Sequence, residues 1–119
     1  MTNEEFNELF RKRTMVFALA VIQFLETLPN NPATRVMSYQ LCKASTSVGA
    51  NFRAFCRGRS RNERFAKICI VVEEADESVY WLELFELAKY GDQTMLEWLI
   101  PESIEITKIA TSIKHSSSS

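Results

Sequence analysis

Residues 40–84 read QLCKASTSVGANFRAFCRGRSRNERFAKICIVVEEADESVYWLEL, and this stretch decides the fold. Apolar residues recur at intervals of three and four on both sides of Gly58. Met37, Leu41, Ala44, Val48, Phe52 and Phe55 precede it; Phe65, Ile68, Val72, Ala75, Val79, Leu82 and Phe85 follow. That period is helical. Gly58 is expected to end the first helix in the left-handed conformation. Ser60 and Glu63 have the spacing of a capping box and are expected to start the next helix. The spacing predicts helices over about residues 32–57 and 60–90, with Gly91 as the second stop. Two long helices joined by so short a turn lie antiparallel.

Upstream, Thr2 and Glu5 have capping-box spacing. Phe6, Leu9, Phe10, Val16, Phe17, Ala20, Val21, Phe24, Leu25 and Leu28 supply an apolar face, predicting a helix over about 3–28. Pro29-Asn30-Asn31-Pro32 is a turn, with Asn31 suited to an N-cap and Pro32 to the first helical position. Downstream, Thr94 and Glu97 suggest a fourth helix start, and Ile104, Ile106, Ile109, Ala110 and Ile113 carry its apolar face. Pro101 either kinks this helix or opens a new one. The expectation is an all-α, antiparallel up-down-up-down four-helix bundle over residues 1–115, with a disordered tail at 116–119.

The 119 residues suffice for one core without disulfides or a metal. Three glycines and three prolines favour long helices over strands and turns. Cys42, Cys56 and Cys69 are odd in number and match no zinc spacing, so a reducing, cytoplasmic setting is expected. The acidic start is unlike a signal peptide, and the apolar run at 15–28 is interrupted by Gln23 and Glu26, so no membrane partner is expected.

A net charge of −1 conceals two opposed blocks. Arg35, Lys43, Arg53, Arg57, Arg59, Arg61, Arg64 and Lys67 share their stretch with one acid, Glu63. Glu73, Glu74, Asp76, Glu77, Glu83 and Glu86 follow with no base among them. At 1.5 Å rise per residue, folding back near Gly58 sets Arg53 level with roughly residue 65 and Glu73 with roughly residue 45. The turn arginines therefore meet acids of another subunit, or acids elsewhere in the bundle, rather than Glu73. The candidate ion-pair or assembly residues are Asn51, Lys67, Glu73, Glu74, Asp76, Glu77 and Trp81. The competing reading has Arg53, Arg57, Arg59, Arg61 and Arg64 gripping phosphate, aided by the N-terminus of the third helix.

Small residues Cys42, Ser45, Thr46 and Gly49 form a second stripe, open to close approach by a helix of this chain or of another subunit. Ser45, Ser47 and Asn51 suit hydrogen bonds to helix carbonyls or a polar interface patch. Tyr80 and Trp81 are interface-anchor candidates, with core packing an alternative for Trp81. Arginine neighbours of Cys56 favour its thiolate, whereas burial makes it a structural thiol.

The inventory for catalysis is thin. The single histidine, His115, stands near the end, and no Glu-x-x-His motif exists for a di-iron site. Val48-Gly49-Ala50 falls inside a helix, so it is no phosphate loop. No catalytic or metal-binding residue, cofactor or small-molecule substrate is expected.

The order SVGAN, arginines around a turn, S-x-x-E, then EEADE and WLE resembles the bacterial 23S rRNA intervening-sequence proteins. The resemblance covers the two central helices closely and the outer two in length and apolar spacing. It implies a four-helix bundle and a homopentamer. One related branch, strongly basic, serves reverse transcriptases of diversity-generating retroelements and binds nucleic acid; this chain departs from it in charge. The expected function is a non-catalytic homo-oligomeric scaffold or accessory protein, with RNA or DNA binding by the arginine-rich turn as the alternative.

Overall fold

A computed structural model describes residues 1–118. Four helices follow one another: α1 (Asn3–Leu25), α2 (Pro32–Cys56), α3 (Arg61–Ala88) and α4 (Gln93–Ser117). Neighbours pack in a closed cycle, α1 on α2, α2 on α3, α3 on α4 and α4 back on α1. α1 and α3 therefore occupy opposite corners, as do α2 and α4. The bundle measures 44 × 26 × 18 Å.

Local chemistry explains most helix ends. Thr2 Oγ1 accepts from the Glu5 N–H at 3.1 Å and Glu5 accepts from the Thr2 N–H at 3.2 Å, completing the expected capping box. Asn31 caps α2, with Pro32 in the first turn and Thr34 closing a second reciprocal box. At α3 only half the expected box forms: Ser60 Oγ accepts from Glu63 N at 3.0 Å. The fourth helix starts earlier than Thr94 suggested. Asp92 is its N-cap, accepting from Met95 N at 3.1 Å.

Two turn expectations are corrected, and the alternatives open at Pro101 are decided. Gly58 is not left-handed; among the described residues positive φ is found at Lys89 and Gly91. Gly58 is needed instead for space, because a Cβ there would strike the Arg64 side chain. α3 stops at Ala88, before Gly91, through a Schellman pattern. Lys89 takes φ +60°, its N–H donates to Glu86 O at 3.1 Å, and Tyr90 N donates to Phe85 O at 3.1 Å. Pro101 opens no new helix, since α4 runs through it. α4 also takes in Ser116 and Ser117 of the expected tail, and Ser119 lies outside the described residues.

The core is a column of large side chains. Phe10 meets Phe52 edge-on at 4.8 Å, tying α1 to α2. Phe24 meets Phe85 edge-on at 5.4 Å across the α1–α3 diagonal. Leu41, Val48, Ile68, Leu82, Leu96, Leu99 and Ile106 fill the space between them. Each fully buried Phe, Leu or Ile contributes about 1.5–3 kcal/mol. Not every expected core residue is inside. Phe6, Leu9 and Val16 of α1 and Ile104 of α4 are exposed. On α3 the buried line is Ile68, Val71, Ala75, Ser78, Leu82 and Phe85, with Val72 and Val79 on its flank.

Candidate functional site

The arginine block gathers at one end of the molecule, around the α2–α3 turn. Arg53, Arg57, Arg59, Arg61 and Arg64 are all exposed. Arg64 folds back, donating from Nη1 to Gly58 O at 3.3 Å. None of the five forms an ion pair within the chain: among the described residues the salt bridges are Arg11–Glu8 and Arg13–Glu102. Lys67 lies at the edge of this block, half-buried. A tight turn brings together residues on either side of it, so these side chains share one end of the bundle.

The acidic block occupies the following turns of α3. Glu73 and Asp76 are exposed, and Glu74 and Glu77 half-buried. Burial, reinforced by Glu77 and Glu73, pushes the Glu74 pKa up; Lys43 across the α2–α3 contact pulls the other way. Lys43 thus lies in electrostatic reach of Glu74, as antiparallel register about the turn requires. Arg53 and Glu73 do not pair. Trp81 is half-buried against the core, its Nε1 donating to Glu77 Oε1 at 3.3 Å. Tyr80 stacks edge-on against Trp81 at 4.9 Å and is itself 58% exposed.

In the small stripe of α2, Gly49 meets α1 of the same chain. Gly49 sits so close to Thr14 that a Cβ would lie 3.1 Å from Thr14 Oγ1. Thr14 is buried and its hydroxyl donates to Arg11 O at 2.8 Å. Ser45, Thr46 and Ser47 likewise donate to carbonyls one turn back. Asn51 donates from Nδ2 to Ser47 O at 2.9 Å, so its amide serves its own helix. These hydroxyls and the amide are satisfied locally.

Outside that close approach lies a groove of about 580 Å³ between α1 and α2. Met15, Ala18, Gly49 and Ala50 line its floor, with Arg11, Lys12 and Arg53 along a mainly basic edge whose acid, Glu8, pairs with Arg11. It continues an apolar α1 face not expected from the sequence: Met15, Leu19 and Ile22 are exposed, the first at 68%. Val36 and Tyr39 are exposed on α2. The signal was present in the steps of four and three from Met15 to Ile22, but other apolar residues of α1 at helical spacing hid it.

Burial raises the Cys56 pKa, the nearby Arg11 charge opposing it less strongly, so the thiol is held protonated rather than activated. Among the described residues no group of three or more His, Cys, Asp or Glu side chains gathers as a metal site. No helix among them is long and apolar enough to cross a membrane.

Similarity to known proteins follows the fold. A protein of unknown function from the S23 ribosomal protein family of Bacteroides thetaiotaomicron is 31% identical, with a TM-score of 0.81. The alignment covers 92% of this chain and 97% of that one. No curated protein matches. The profile of 23S rRNA-intervening sequence proteins matches residues 7–112, and the chain belongs to that family.

Proposed function

We propose that this chain is a non-catalytic bundle subunit that assembles with copies of itself and serves as a scaffold or accessory protein. The observation that carries this reading is the apolar outer face of α1 and α2, with Met15, Leu19, Ile22, Val36 and Tyr39 exposed in a single chain. Exposed apolar surface of this kind marks protein contacts. The family resemblance makes five copies the first stoichiometry to test. Light scattering on the eluting protein is expected to give a multiple of the 13.7 kDa chain mass, five for a pentamer. A monomer at every concentration overturns the reading.

A second reading is favoured by the five exposed arginines that lack carboxylate partners at the α2–α3 turn. Their planar forks suit phosphate, and assembly multiplies the patch. The names of the family and of its relative speak of 23S rRNA and of a ribosomal protein, so structured RNA is the first ligand to titrate, with duplex DNA beside it. Binding that weakens steeply with salt, and weakens again in Arg57→Ala/Arg59→Ala, supports this reading. No binding at low salt overturns it.

A further inference from the structure

The outer face of α3 carries an exposed, mainly acidic seam. Glu73, Asp76, Tyr80, Glu83 and Leu87 are all exposed and follow one another at steps of three, four, three and four. That spacing places them on one face of the helix, a stripe of three acids with Tyr80 and Leu87 among them. Among the described residues none covers it. Across the bundle, the α1–α2 groove has the opposite character, an apolar floor around Met15 and Ala18 with Lys12 and Arg53 at its edge. Neither Lys12 nor Arg53 has an ion-pair partner among the described residues.

We propose that the acidic, Tyr80-bearing face of α3 in one copy seats in the basic-edged α1–α2 groove of a second copy. This rests on the self-assembly reading and says which surfaces meet. The charges complement each other, acid on the seam and base on the groove. The spacings also agree. Asp76 to Tyr80 is a four-residue step and Lys12 to Met15 a three-residue step, each about one helical turn. A tyrosine set over Met15 therefore leaves Asp76 within range of Lys12 on the basic edge. Since α1 and α3 stand at opposite corners, a chain cannot satisfy its own seam. The two surfaces differ, so the contact is head-to-tail rather than the same patch facing itself.

Charge exchange tests it, read by light scattering, with circular dichroism confirming helix content. In a wild-type oligomer, Lys12→Glu/Arg53→Glu and Glu73→Lys/Asp76→Lys are each expected to fall to the single-chain mass. All four substitutions together in one chain restore the complementary charges and are expected to restore assembly. Tyr80→Asp, which leaves the basic edge intact, is expected to break assembly by itself. If the double variants assemble like wild type, or the four-fold variant stays monomeric with its helices intact, the pairing is overturned while self-assembly stands. A monomeric wild-type protein overturns both.

Discussion

Arg13 on α1 grips Glu102 on α4 with two parallel hydrogen bonds, Nε to Oε2 and Nη2 to Oε1, each 2.8 Å. It is the salt bridge that joins two helices among the described residues. Glu102 is largely sheltered, with 14% of its side chain exposed, while Arg13 is more open. The hydrogen bond to Glu102, opposed by desolvation, raises the Arg13 pKa overall. α1 packs less closely on α4 than on α2, so this fork fixes the register of the seam that closes the bundle. Being partly screened, it contributes about 1 kcal/mol, between the values for exposed pairs and for charged hydrogen bonds. Glu102→Ala is expected to lower stability by about that amount in urea unfolding, and a cycle with Arg13→Ala should assign most of it to the pair.

Gly49 and Thr14 set the distance between α1 and α2. A methyl at residue 49 meets Thr14 Oγ1 at 3.1 Å, tight but adjustable. Replacing a mid-helix glycine by alanine gains about 0.5–1 kcal/mol of helix propensity, which offsets that crowding. Gly49→Ala is therefore expected to unfold near the wild-type midpoint. Gly49→Leu is expected to lose about 1–3 kcal/mol through overpacking. An equal effect of both substitutions in thermal melts would contradict the close approach.

The α3–α4 turn holds two left-handed residues with opposite expectations. Gly91 has φ +82°, and a Cβ there would stand 2.8–2.9 Å from Phe24 and Leu28. Gly91→Ala is expected to cost about 2–3 kcal/mol, from the backbone and from crowding of the core. Lys89, at φ +60°, carries a side chain where glycine is usual. Lys89→Gly is expected to stabilise the fold by about 0.5–1 kcal/mol. Chemical denaturation of the two variants should move in opposite directions.

Glu74 gives stability a pH dependence of definite sign. Its folded pKa is raised, first by desolvation and then by Glu77, so the folded state holds a proton more tightly than the unfolded chain. Above that pKa the charge opposes folding, and the penalty is relieved as pH falls and Glu74 protonates. Glu74→Gln is expected to melt higher than wild type at neutral pH. The advantage should disappear on acidification through the protonation of Glu74. A constant difference across pH would show that the charge is not its cause.

The helices and most of their ends were legible in the sequence because their causes are local. Thr2, Asn31 and Ser60 each satisfy a free N–H three residues away, and nothing distant can alter that choice. The short turn likewise announced the arginine cluster around Gly58. Tertiary structure alone decided which stripe each helix buries. α1 carries apolar residues on more than one face, and Phe10, Phe17, Val21 and Phe24 went inside while Leu9, Met15, Val16 and Leu19 stayed outside. That outcome depends on which stripe fits the aromatic column of α2 and α3, a competition between residues dozens of positions apart. The same holds for charge. The sequence determined two blocks of opposite sign and, through helix rise from the turn, kept Arg53 away from Glu73; tertiary structure joined Arg13 to Glu102 and left the acidic stripe of α3 exposed.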